Sequence, residues 1–141
     1  MNFNVEFTPE LIALTIVSVF VILAVLAILL FFYSKKLRPK KIRKKWSKIK
    51  AKLPKQDQWK EALIDADKLL DEALKKKKYT GKTVGEKLVK AEKIFTDKDE
   101  VWFGHKLSRA VQEKPGLKLK KADMKRALIG LQRGLKDLGA L

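Results

Sequence analysis

Residues 11–33 read LIALTIVSVFVILAVLAILLFFY, a run of 23 residues with no charged side chain, no proline and no glycine. A helix of this length is roughly 34 Å long, enough to cross a hydrocarbon layer of about 30 Å with some tilt. A buried helix of a soluble protein is seldom apolar on every face over such a length. A cleaved signal peptide needs a basic leader and a small-residue cleavage site, which this stretch lacks. The run therefore predicts a transmembrane helix.

The charged residues on the two sides of this run predict its orientation. Residues 1–10 contain only Glu6 and Glu10 as charged side chains, whereas residues 35–55 contain twelve basic residues and no acid. Lysine and arginine flanks are retained in the cytoplasm. We therefore expect a single-pass protein of the bacterial inner membrane, with residues 1–10 as a short extracytoplasmic tail and the C-terminal part in the cytoplasm.

Residues 34–55 form a basic juxtamembrane segment with apolar residues at helical spacing. Between Pro39 and Pro54 these apolar residues lie four, three and four positions apart, which predicts an amphipathic helix. Such a helix can lie in the headgroup layer, with its apolar face inward and its lysines on anionic lipid. A solvated linker that acts only as a topology signal is an equal alternative, and nucleic-acid binding is a third. The residues predicted to contact the membrane surface are Lys35, Lys36, Arg38, Ile42, Trp46, Ile49 and Leu53.

The remaining stretch, residues 56–141, predicts four amphipathic helices. The first runs from about Asp57 to Lys77, and the second is started by a capping box of Thr83 and Glu86 and continues through Phe95. Thr96 or Asp97 caps the third helix, which stops before Pro115, and the fourth covers Lys121 to Leu138 with Gly139 as its stop signal. Short connections between helices of this length predict an antiparallel four-helix bundle. The expected fold is therefore all-α: a transmembrane helix at 11–33, a basic amphipathic helix within 34–55 and a cytoplasmic bundle at 56–141.

The composition limits the chemistry that the chain can carry. It contains no cysteine, which excludes disulfides, thiolate metal sites and cysteine nucleophiles. His105 is the single histidine, and a satisfied histidine in a core or groove is favoured over a metal ligand or catalytic base. Asp67 and Asp71, one helical turn apart, can hold a cation, but surface ion pairs are favoured. The tripeptide 81–83, GKT, lacks the earlier glycine of a phosphate-binding loop because Lys76 occupies that position. We therefore predict no catalytic residue, no metal site and no cofactor.

Five short blocks of the soluble part carry a family resemblance. They are WKEA at 59–62, ADKLLD at 66–71, GKTVGEKL at 81–88, VW at 101–102 and HKL at 105–107. In order and spacing they resemble a family of small membrane-anchored bacterial proteins whose soluble part is similar to HEPN-type helical domains. In that family the third bundle helix continues after His-Lys-Leu with Arg-Asn, three variable residues and His, the pattern associated with RNA cleavage.

This chain departs from the family pattern at each of those three positions, which are occupied by Ser108, Arg109 and Glu113. The resemblance therefore implies a HEPN-like fold without the cleavage motif. It marks a candidate groove formed by Trp102, His105, Ser108, Arg109 and Glu113.

The function that these observations favour is a non-enzymatic helical module for protein interaction or scaffolding at the cytoplasmic membrane face. Its expected partners are the bilayer with its anionic headgroups and an unknown protein or a second copy of the chain. A divergent HEPN-like RNA-binding protein or ribonuclease is the alternative. The net charge of +17 is weak evidence for nucleic acid, because most of it belongs to residues 35–55.

Overall fold

The computed structural model describes the backbone of residues 8–34 and 38–141, and the side chains of residues 8–30 and 38–141. Within these ranges the chain is helical and contains no strand, as the sequence predicts. Contacts divide it into two compact units, residues 1–36 and residues 37–141. The α-helices of the described ranges are α1 (Pro9–Ser34), α2 (Pro39–Lys52), α3 (Trp59–Lys76), α4 (Val84–Ala91), α5 (Lys98–Glu113) and α6 (Lys121–Asp137).

The first unit contains α1, a helix of 26 residues whose large apolar side chains between Leu11 and Leu30 are all exposed. Its 26 residues correspond to roughly 39 Å. Pro9 occupies the first helical turn, where its missing N–H costs nothing, and the carbonyl of Thr8 accepts from the amides of Leu11 and Ile12 at 3.0 and 3.2 Å. Residues 9–30 are long and apolar enough to span a membrane, which agrees with the predicted span at 11–33.

The hydroxyl groups of Thr15 and Ser18 in α1 are satisfied by the helix itself. The Thr15 hydroxyl donates to the Ile12 carbonyl and the Ser18 hydroxyl donates to the Thr15 carbonyl, both at 2.8 Å. An unpaired hydroxyl in an apolar environment would cost several kcal/mol on transfer scales that lack a hydrogen-bonding solvent. These two bonds therefore make the Thr15 and Ser18 side chains compatible with hydrocarbon.

The second unit is built around α3, which contacts α2, α4, α5 and α6. A 3₁₀ turn at Gln56–Gln58 leads into this helix. Its apolar residues recur at spacings of three and four, so that they cover more than one face and can serve several neighbours. The side chains that α3 buries to an exposure of 3% or less are Ala62, Leu63, Ala66, Leu69, Leu70, Ala73 and Leu74.

The folded unit includes α2, whereas the sequence predicted that the bundle begins at residue 56. Ile42, Trp46 and Ile49 are 1%, 6% and 3% exposed and belong to the same core as α3. Leu53 is half-buried against that core, and its carbonyl accepts from the indole N–H of Trp59 at 2.8 Å. The predicted amphipathic helix is present, but its apolar face covers α3.

The second bundle helix is shorter than predicted. It runs as α4 through Ala91, and a 3₁₀ turn, Glu92–Ile94, follows it before the buried Phe95. The Thr83 hydroxyl accepts from the Glu86 amide at 3.2 Å, as predicted. The Glu86 carboxylate reaches back to the amide of Lys82 at 2.8 Å, one residue earlier than a standard capping box.

The pair α5 and α6 forms the most extensive helix contact among the described residues. A Cβ added to Gly130 would lie 2.1 Å from the carbonyl oxygen of Glu100, and one added to Gly104 would lie 2.8 Å from that of Ala127. The two glycines therefore allow the backbones to approach within a distance that no other residue permits. Asp97 caps α5 by accepting from the Glu100 amide at 3.3 Å, which settles the choice left between Thr96 and Asp97.

Candidate functional site

The outer face of α2 carries a dense group of exposed positive charge. Six cations lie on it, and we call them the basic ridge: Lys40, Lys41, Arg43, Lys44, Lys48 and Lys50. All six are exposed, and none of them is within ion-pair distance of a carboxylate of the described residues. The ridge is opposite the buried stripe of Ile42, Trp46 and Ile49, because the two sets occupy different faces of one amphipathic helix.

The two remaining lysines of α2 point to α3 and are paired. Lys45 forms an ion pair with Glu72, and Lys52 donates to Glu61 and Asp65, each at 2.7 Å. The hydrogen bond from Lys52 to Asp65, followed by that to Glu61, raises the pKa of the lysine. The three acids share one stripe of α3, so charge as well as apolar packing sets how α2 sits on that helix.

The predicted set of membrane-surface residues is therefore divided by the structure. The prediction that Ile42, Trp46 and Ile49 face lipid is wrong, because their side chains are enclosed in the protein core. The physical reason is that α3 presents both an apolar surface and an acidic stripe. The first packs against the apolar face of α2, and the second pairs with two of its lysines, a contact that the apolar pattern of α2 does not reveal. Arg38 is exposed just before α2, while Lys35 and Lys36 lie outside the described residues.

His105 is a buried, paired histidine, as favoured from the sequence. It is 5% exposed, and its Nδ1 lies 3.0 and 3.1 Å from the two carboxylate oxygens of Asp67, which is also 5% exposed. A carboxylate can only accept, so the Nδ1–H group is the donor. The Trp102 ring meets the imidazole edge-on at 5.9 Å between centroids. Asp67 thus fixes the orientation of the only imidazole in the chain.

A pocket of about 310 Å³ opens beside this pair. Asp71 lies on its wall and is bonded to Lys75 at 2.6 Å and to the buried Lys87 at 2.5 Å. Partial burial acts to raise the pKa of the Asp71 carboxyl, but the hydrogen bonds from Lys75 and Lys87 outweigh it and hold the pKa below its ordinary value. The lining residues are Asp67, Lys68, Asp71, Thr83, Val84, His105, Arg109 and Gln112.

The structure brings together only part of the predicted groove. His105 and Arg109 line the same pocket, and Glu113 pairs with Arg109 at 2.8 Å on the surface. Ser108 is fully buried, and its hydroxyl oxygen and its backbone carbonyl each accept from the side-chain Nε2 group of Gln112 at 3.3 Å. Its hydroxyl is therefore not presented as a nucleophile.

Trp102 lines a different pocket, of about 450 Å³, together with Asp99, Phe103, Lys106 and Arg126. The guanidinium of Arg126 lies 4.1 Å from the centre of the Phe103 ring and binds both carboxylate oxygens of Glu100. Both aromatic side chains are half-buried. The result is an aromatic surface with cationic edges.

The chemical groups around His105 are engaged with one another. Among the described residues, no group of three or more His, Asp or Glu side chains is arranged to hold a metal ion. The arrangement can orient the imidazole and neutralise the charge of the buried Lys87, and the hydroxyl of Thr83, the one hydroxyl among the lining residues, accepts from the Glu86 amide at the start of α4.

Two buried polar residues, Asp67 and Lys87, were not assigned these roles from the sequence. Asp67 falls four residues after Leu63 and three before Leu70, within the apolar repeat of α3. An acid at a core-facing position signals a buried partner, and His105 is the one histidine that can supply it. The surface ion pair expected for Asp67 is therefore replaced by a buried hydrogen bond to His105. Lys87 lies beside Leu88 on α4 and carries no such signal.

None of the models of known protein families matches this chain, and neither the curated proteins nor the solved structures contain a match to it. The resemblance of the five blocks to a HEPN-like family is neither supported nor opposed by these comparisons. It remains a prediction.

Proposed function

We propose that this chain is a membrane-anchored, non-enzymatic helical module that holds its folded unit, residues 37–141, at the cytoplasmic face of a bacterial inner membrane for interaction with a protein partner. One observation carries the proposal: a helix whose apolar side chains are exposed over residues 11–30 precedes a domain in which the buried Lys87 and Asp67 each have a side-chain partner, Asp71 and His105. The first feature supports a membrane anchor. The second supports a scaffold over a catalyst.

The proposed orientation rests on the distribution of charge. Twelve basic residues and no acid follow the apolar helix within residues 35–55, whereas the only charged residues before it are acidic. Basic flanks resist translocation. The folded unit is therefore proposed to stay in the cytoplasm.

The proposed contact with a protein partner uses the pocket of Trp102 and Phe103. Tryptophan and arginine are the residue types that contribute most to binding energy in protein interfaces. Here Trp102, Phe103 and Arg126 share one half-exposed surface, and two of the three are in direct contact.

Two experiments on the full chain test the proposal. A reporter that is active only in the cytoplasm, fused after Leu141, is expected to be active, and periplasmic activity would reverse the orientation. A photo-crosslinking residue in place of Phe103 is expected to give one discrete adduct in intact cells, with a crosslinker in place of the exposed Lys93 as the matched control. Equal, diffuse labelling from both sites would contradict the partner surface.

RNA binding by a divergent HEPN-like protein is the second candidate, and the basic ridge is the observation that favours it. Six exposed cations without carboxylate partners in the described chain can neutralise phosphates. Cleavage is disfavoured because Ser108, Arg109 and Glu113 replace the family motif. RNA affinity that falls steeply with salt, and is lost when the ridge is neutralised, would support this candidate over the first.

A further inference from the structure

The basic ridge of α2 carries unrelieved repulsion between like charges. Lys40, Lys44 and Lys48 follow one another at four-residue spacing, so their side chains are neighbours on the helix surface. Like charges at this spacing destabilise a helix. The described residues supply no carboxylate within ion-pair distance of the ridge. The described part of the chain therefore leaves the ridge free to pair with anionic groups from outside it.

The fold also holds the ridge in a fixed orientation. The opposite face of α2 is buried through Ile42, Trp46 and Ile49. In addition, Lys45 and Lys52 form ion pairs that hold one side of the helix against α3. The helix cannot turn its ridge away without unpacking this core. The cations are consequently a permanent outer surface of the folded unit.

Chain length and the nature of the surface indicate the partner. In the sequence, α2 begins five residues after α1 ends, so the ridge follows directly along the chain from a proposed membrane span. Proteins that bind single-stranded nucleic acid stack bases on exposed aromatic rings. The only aromatic side chain of α2 is Trp46, and it is buried. We propose that the basic ridge of α2 is a binding surface for anionic lipid headgroups, which docks the folded unit on the membrane without inserting apolar side chains.

This inference rests on the proposed membrane anchoring, and a reporter on the full chain tests it. The sequence has no cysteine, so Ser47→Cys, at an exposed position of α2, provides a single site for a fluorescent donor. The chain is placed in nanodiscs of phosphatidylcholine alone or with added phosphatidylglycerol, both carrying a headgroup-linked acceptor. Energy transfer is expected to rise with phosphatidylglycerol. The rise should disappear at about 1 M salt, where the Debye length is about 3 Å.

Two variants with the same change in net charge separate position from total charge. The ridge variant removes the core of the ridge by changing four lysines to Gln: Lys40, Lys41, Lys44 and Lys48. The α6 variant removes four exposed lysines from the start of α6 and the loop before it, by changing them to Gln: Lys118, Lys120, Lys121 and Lys125. Each ridge lysine is expected to contribute about a fivefold factor to the docked population. The ridge variant should therefore abolish the response, while the α6 variant retains it.

The outcomes distinguish this inference from the proposal on which it rests. Failure of the chain to enter the discs overturns the anchoring, and the inference with it. Normal incorporation with equal transfer in both lipids, or equal behaviour of the two variants, overturns the inference alone. A third outcome is that single-stranded RNA binds the ridge of the chain in phosphatidylcholine discs while phosphatidylglycerol does not change the energy transfer. This outcome assigns the ridge to nucleic acid and overturns the inference. Unchanged thermal unfolding of the ridge variant, followed by tryptophan emission, shows that a lost response is not a lost fold.

Discussion

Gly130→Ala is the substitution that tests the α5–α6 contact most directly. The added Cβ would lie 2.1 Å from the carbonyl oxygen of Glu100, whereas ordinary contacts begin at 3.4 Å. The obstacle is backbone, so no change of rotamer relieves it. The two helices must move apart by about 1.3 Å, the difference between these distances.

Two effects of opposite sign determine the expected change in stability. Alanine stabilises a helix interior by about 1 kcal/mol relative to glycine. Overpacking a core costs about 1–3 kcal/mol and occasionally more, and a clash with rigid backbone falls at the upper end. We therefore expect Gly130→Ala to lower the free energy of unfolding by about 2 kcal/mol. For a domain of this size, that lowers Tm by about 8–16 °C.

Tryptophan emission of the full chain in detergent measures this change. The three tryptophans, Trp46, Trp59 and Trp102, all belong to residues 37–141, so their signal follows the folded unit and not α1. Gly116→Ala is the matched control, because its added Cβ meets nothing within 4 Å and Gly116 lacks a positive φ. The control should be neutral or slightly stabilising. A Gly130→Ala protein that melts at or above the wild-type Tm would refute the close approach of α5 and α6.

Three further predictions concern polar pairing, the α2 core and a helix stop. Asp71→Asn leaves the buried Lys87 without its carboxylate and should lower the free energy of unfolding in urea at pH 7 by about 3 kcal/mol. Glu113→Gln breaks an exposed pair and should change the free energy of unfolding by no more than about 0.5 kcal/mol. Because the pKa of Asp71 is lowered in the folded state, its carboxylate contributes stability above the unfolded pKa of 3.8, and this contribution is lost as the pH falls further. The difference in the free energy of unfolding between wild type and Asp71→Asn should therefore narrow in acid. Trp46→Phe removes a buried indole N–H that has no acceptor among the described residues. It should lower the stability far less than Trp46→Ala, for which a loss of about 3–5 kcal/mol is expected. Comparable losses in Tm from the two substitutions, measured by circular dichroism, would place Trp46 outside the core. Gly139→Ala forces a side chain into a φ of +69° and should destabilise the folded unit by about 1 kcal/mol in the same melts, and no change would mean that this turn is not formed.

The local features of the fold were predictable because they depend on neighbouring residues. The apolar run predicts α1 without reference to anything else in the chain. Thr83 and Asp97 act as caps, and Gly139 adopts the positive φ expected of a helix stop. The bounds of α3 and α6 agree with the predicted helices to within two residues.

The candidate site was predictable only in part, because its contacts join distant segments. Burial of His105 followed from its place on an apolar face, but its partner lies 38 residues earlier in the chain. Lys87 is buried only because Asp71 reaches it from another helix. The second bundle helix ended early because its last turn tightens into a 3₁₀ turn before Phe95, a choice that the apolar spacing does not encode.

The sequence by itself determined an apolar helix, a lysine-rich helix after it and four further amphipathic segments. The tertiary structure decided which surface the apolar stripe of α2 covers. Periodicity shows that Ile42, Trp46 and Ile49 need an apolar environment, and both lipid and protein can provide one. The protein provides it here because α3 also places Glu72 and Asp65 opposite Lys45 and Lys52, which lipid tails do not. This pairing fixes the stripe inward and leaves the other six cations of α2 on the outside.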